Sequence, residues 1–152
     1  MLLNRERALE FMAQYNLDAL LATTRHNVLY LSGFQGWAQY TYGDATTETF
    51  ALFFREADVA PALIVSRQDE TYYSATGSWI EDVRGYGLRS ALDIEPGEQG
   101  ATDEERNLLS LVTDDAPREA NSTDALVRVL RERGISKGKI AIDNEGIRPA
   151  TR

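Results

Sequence analysis

Residues able to do chemistry are few in this sequence, and their spacing excludes more than it suggests. There is one histidine, His26, and no cysteine. A serine-histidine-aspartate device would depend on that single imidazole, and no serine lies in a Gly-x-Ser-x-Gly setting. A second histidine for a zinc site is missing, and thiolate metal sites, cysteine nucleophiles and disulfides are excluded. Two readings of His26 stand side by side: a local hydrogen bond in the first turn of a short helix, or a place at a substrate pocket.

Carboxylates are plentiful but scattered. Glu81-Asp82 and Asp114-Asp115 are adjacent pairs, and neighbours on extended chain point to opposite faces, so neither pair makes a shared site. Asp103-Glu104-Glu105 suits the first turn of a helix, where acids meet the positive end of the dipole. No calcium-loop spacing occurs. A nuclease-like enzyme would need Asp18, Asp82 and Asp143 to converge from separate strand ends. Gly85 and Gly87, in RGYG, lack the third glycine of a dinucleotide loop and read as a strand end entering a turn. The most unusual stretch is FQGWAQYTYG, which places Phe34, Trp37, Tyr40 and Tyr42 close together. The reading allows a loop that exposes these rings at a partner or substrate surface, or a helical turn that packs them on core.

Ten elements must position these residues. NRERALEFMAQYN, 4–16, has an apolar stripe at helical spacing. A short strand follows at 18–22, then a helix capped by Thr24 and running through Leu31, with Gly33 as its stop. Strands are predicted at 49–55 and 62–66, joined by a short turn that makes them antiparallel. A helix over 68–76 ends at Gly77, and the alternating WIEDVR predicts a strand over 79–84. Residues 88–102 read as a loop and 103–112 as a weak helix. A stronger helix starts at Ser122 or Thr123 and runs through Arg133, closed by Gly134, and a last strand occupies 139–143. Strands alternating with helices predict an α/β fold, a three-layer α/β/α arrangement on a mixed, mostly parallel sheet of five or six strands.

The 152 residues suit one domain of ordinary size, able to bury about 70% of its unfolded surface without staples. They are too few for an eight-fold strand-helix barrel. Net charge is −8, which argues against nucleic acid as a partner. Most of it is local: residues 93–119 hold nine acids and two bases, as a solvated surface excursion would. No apolar run is long enough to span a membrane, the first residues do not form a secretory signal, and the lack of cysteine fits a cytoplasmic protein.

Several segments together resemble the N-terminal domain of the creatinase/prolidase/aminopeptidase P family. The strongest is Asp18-Ala-Leu-Leu-Ala22 followed by His26-Asn27-Val28-Leu29-Tyr30-Leu31-Ser32-Gly33-Phe34. The first helix, the pair TFALFF and PALIVSR, the segment WIEDVRGYG and the closing LVRVLRERGISKGKIAID are similar too, so the resemblance covers about 5–145. It implies the family's N-terminal fold, with its ribonuclease H-like motif, over 1–145, and the start of a linker at 146–152.

The resemblance further implies a C-terminal catalytic domain of the pita-bread fold. In the peptidases that domain binds two divalent ions (Mn, Co or Zn) through Asp, His and Glu and cleaves Xaa-Pro bonds, whereas creatinase-type members hydrolyse a small amide-like substrate without metal. None of those catalytic positions has a counterpart in 1–152, so no catalytic residue and no cofactor is assigned to this chain. For this domain the resemblance implies a share in a homodimer and in shaping substrate access, with Trp37, Tyr40 and Tyr42, and less directly His26, as candidates for the substrate rim or dimer interface. An alternative within the resemblance is a protein-binding scaffold beside a catalytically inactive peptidase-like domain, as in a histone-chaperone subunit.

Overall fold

The Asn4 side chain accepts the Arg7 N–H at 3.0 Å and so starts α1, Arg5–Tyr15. Asn16, left-handed at φ 51°, ends it. The helix turns Met12 fully inward and leaves Phe11 and Tyr15 exposed. β1 is Ala19–Ala22, and α2, Arg25–Ser32, follows and stops at Gly33, whose φ of 76° favours glycine. A six-residue helix α3, Trp37–Tyr42, comes next, then β2, Phe50–Phe54, and β3, Ala62–Ser66. α4 is Arg67–Thr76, β4 Asp82–Tyr86, α5 Ser122–Glu132 and β5 Ile140–Ile142. This computed structural model describes residues 2–43, 48–87 and 119–143. The loop expected at 88–102, the weak helix at 103–112, nearly all of the acidic stretch and the boundary at 145 lie outside the described residues.

The five strands form one sheet in the order β4-β3-β2-β1-β5. β1 and β2 pair antiparallel with Leu21 opposite Leu52, and β2 and β3 pair antiparallel with Ala51 opposite Leu63. β1–β5 and β3–β4 are parallel. The sheet is mixed, as expected, but evenly divided between the two pairings rather than mostly parallel. The consecutive pairs β1–β2 and β2–β3 both reverse direction, and only the two edge strands arrive by crossovers.

Each strand serves two cores because its alternate residues face opposite ways. Ala51, Phe53, Leu63 and Val65 pack with Met12, Val28, Leu31 and Phe34 on the side of α1 and α2. Phe50, Leu52, Phe54 and Ile64 pack with Ala125 and Val129 of α5 on the other. Helices cover both faces, so the three-layer reading holds. It also explains why FALFF and ALIVS are continuous apolar runs.

Two local readings need correction. Thr24 stands at the N-cap of α2, yet its side chain makes no cap bond and its hydroxyl donates to Asp143 instead. β4 begins at Asp82, three residues later than the alternation of WIEDVR suggests. The Ser78 hydroxyl donates to Ser32 O at 2.6 Å and the Trp79 indole to Leu31 O at 2.9 Å, which holds this segment against the end of α2 and off the ladder. α5 begins at Ser122, as expected, and Asn121 caps it, its side chain accepting the Asp124 N–H at 2.9 Å.

Candidate functional site

The two glycines that flank α3 delimit the aromatic segment, and its rings divide. Phe34, on the connection from α2, is fully buried and lies 6.0 Å from the Tyr73 ring. Trp37, Tyr40 and Tyr42 are 40%, 59% and 58% exposed. Both readings of the stretch are therefore partly right: a helical turn forms, Phe34 just ahead of it enters the core, and the three later rings stay exposed as a ridge along α3. Trp37 sits edge-on to Tyr42 at 5.5 Å and stacks on Tyr72 of α4 at 6.4 Å. The Arg25 guanidinium lies 5.8 Å from the Tyr40 ring. His26, the next residue of α2, is exposed, and among the described residues its imidazole makes none of the local hydrogen bonds considered for it.

Beneath these rings two polar side chains are buried, one from α3 and one from α4. Gln39, 1% exposed, donates its amide to Thr23 O at 2.7 Å. Asp69, in the first turn of α4, is fully buried, and its Oδ1 accepts the Ala38 N–H at 2.9 Å. Sequence reasoning missed both. The available signal was Ser66 three residues before Asp69, the spacing of a capping pair at a helix start. Burial raises the Asp69 pKa above the ordinary 3.8, opposed by the backbone N–H groups of Ala38 and Trp37.

The folded chain therefore keeps the Asp69 proton in a pH window where the unfolded chain has lost it. The stability this group contributes is full below the unfolded value and declines as pH rises through the raised one. Asp69→Asn removes the titration. Wild-type stability relative to this variant should fall as pH rises above the ordinary aspartate value, read from denaturant midpoints along the series; a constant difference would refute the assignment.

The other carboxylates are engaged elsewhere. Asp143, just past β5, accepts from Thr23 N at 2.6 Å, Thr24 N at 3.1 Å, the Thr24 hydroxyl at 2.9 Å and the Asn27 amide at 2.7 Å. Asp82 is held by Arg84 and Arg133, and Asp18 by Arg55. Buried Glu48 accepts the Ser122 hydroxyl at the start of α5. Asp18 and Asp143 lie at opposite ends of the parallel β1–β5 pair, and β2 and β3 separate both from Asp82. The three do not converge, which removes the nuclease-like arrangement. Among the described residues no group of three His, Asp or Glu side chains is placed to hold a metal ion, and no helix is long and apolar enough to cross a membrane. An open groove of about 260 Å³, at the end of the sheet where β1 begins, is lined by both signs of charge, including Asp18, Glu56, Arg133 and Lys137.

The class is thus a three-layer α/β domain with a mixed five-stranded sheet and exposed aromatic rings along α3. The family model described as the creatinase/prolidase N-terminal domain matches residues 4–151, and the chain belongs to that family. No curated protein matches. Among solved structures it is similar to a prolidase from Pyrococcus furiosus, with 14% identity over 55% of this chain and 20% of that one and a TM-score of 0.36. It is also similar to an Xaa-Pro aminopeptidase from Streptococcus pyogenes, with 18% identity over 97% of this chain and 93% of that one and a TM-score of 0.39. A Creatine_N superfamily domain of a dipeptidase from Streptococcus thermophilus gives 15% identity over 93% and 91% and a TM-score of 0.42. The chain thus spans one fifth of the first of these and nearly all of the other two.

Proposed function

We propose that this chain is the non-catalytic N-terminal domain of a cytoplasmic hydrolase, a metal-dependent peptidase of the Xaa-Pro class. In this reading a following domain, entered through 146–152, carries the two divalent ions and the chemistry on a small peptide or amide substrate. The present domain contributes to a homodimer and to the rim over the substrate. The observation that carries the reading is the exposure of Trp37, Tyr40 and Tyr42 on a short helix whose Gln39 and Ala38 are turned inward. Exposed, mutually packed Trp and Tyr rings supply large contact area at low entropic cost, which suits an interface or an apolar ring of substrate.

Trp37→Ala in the full protein should lower the dimer fraction, or raise KM for an Xaa-Pro peptide, roughly tenfold, with kcat little changed if the ring acts through binding. Sedimentation velocity and steady-state kinetics read the two effects. Loss of neither would remove the ridge from the function. Residues 1–152 alone should show no Xaa-Pro cleavage with Mn²⁺ or Co²⁺, and robust turnover would overturn the division of labour.

A further inference from the structure

α3 should not hold its own shape. It has six residues, its N-cap is Gly36 with no side chain to offer, and its first turn contains no acid. Helices this short are unstable alone because nucleation costs more than so few bonds return. The missing cap comes from another element: Asp69 reaches across from α4, and its Oδ1 accepts the Ala38 N–H at 2.9 Å. Its other oxygen, Oδ2, is buried without a partner of its own and lies against Gly36, only 2.7 Å from where a Cβ would stand. Glycine at 36 is thus required by the close approach of this carboxylate; its φ of −69° is open to any residue. Three residues further along α4, Tyr72 receives the Trp37 ring. One helix therefore grips the first turn of α3 twice, from inside by a carboxylate and from outside by a ring.

We infer that Asp69 is the positioning residue of the aromatic ridge: its buried carboxylate, seated on Gly36, caps α3 and fixes where Trp37 stands. The inference rests on the proposed function only for what the ridge is for. The clamp itself stands on geometry, since Asp69 is fully buried while the rings it positions are exposed. Gln39, one residue after Ala38, is tied separately to Thr23 O.

The chain contains two tryptophans, Trp37 on α3 and Trp79 beside the core. Labelling with 5-fluorotryptophan gives one ¹⁹F resonance for each, assigned by Trp37→Phe. In Asp69→Ala and in Gly36→Ala the Trp37 resonance should move most of the way to its unfolded position while that of Trp79 stays in place. Asp69→Asn, which keeps an acceptor for the Ala38 N–H, should largely restore it. An unmoved Trp37 resonance overturns the inference. So does joint movement of both resonances in both substitutions, which would assign these residues to the fold at large. Dimer fractions of the same variants separate the two readings: if Trp37 moves and the full protein dimerises as before, Asp69 keeps its role and the ridge loses its proposed one.

Discussion

Asp143→Ala should destabilise the domain by about 3 kcal/mol, because it strands donors that fold around one carboxylate. Thr23 is fully buried and Thr24 nearly so, and both present N–H and hydroxyl groups to Asp143. Removing the acceptor leaves them without partners, which costs more than a surface hydrogen bond returns. The contacts span 116 to 120 residues of sequence, so the loss also loosens the start of α2 from the end of β5. Asp143→Asn keeps the shape but turns an NH₂ towards donors, and should recover less than half of the deficit. Urea titration measures both: the midpoint should fall with an unchanged slope. A midpoint within error of wild type would show that water replaces the carboxylate at no cost.

Phe34→Ala should cost about 4 kcal/mol, the upper range for emptying a core aromatic site. The ring is fully buried between the α1/α2 side of the sheet and Tyr73, and its N–H is held by the Ser32 hydroxyl at 3.0 Å. The residue follows Gly33, the stop of α2, and leads into α3, so the cavity opens beside the start of α3. Phe34→Leu fills most of the volume and should cost about 1 kcal/mol. For a domain of this length the alanine variant should melt roughly 12 °C lower, read by calorimetry. Equal melting temperatures for the two variants would mean that the site collapses around either side chain.

Which features were legible follows from the range over which each acts. α1, α2, α4 and α5 are written in local periodicity and in stop residues such as Gly33, Gly77 and Gly134. The apolar runs of β2 and β3, with their short turn, declare an antiparallel pair buried on both faces. The even mix of pairings was out of reach, since nothing local in 19–22 says whether its neighbours run with or against it. Thr24 shows a local rule overridden: its type and place are right for a cap, and Asp143, 119 residues away, takes the hydroxyl. The aromatic stretch was recognised by composition, but which ring enters the core depends on where α4 packs. Asp69 left only a faint local mark, because its role is defined by Gly36 and Ala38, 33 and 31 residues earlier.

The parallel pairing of β1 with β5 has a mechanical meaning. The two strands share three rungs, Ala19 to Ile140, Leu20 to Ala141 and Leu21 to Ile142, and Asp143 adds its carboxylate clasp immediately beyond the last. Tension on the chain beyond Asp143 would load these rungs together, in shear, because force runs along the strand and across every bond at once. Before any rung feels it, the force meets the clasp, which passes it into Thr23 and Thr24 at the head of α2. A short edge strand that would peel like a zipper if pulled sideways is thus moored where the chain leaves it.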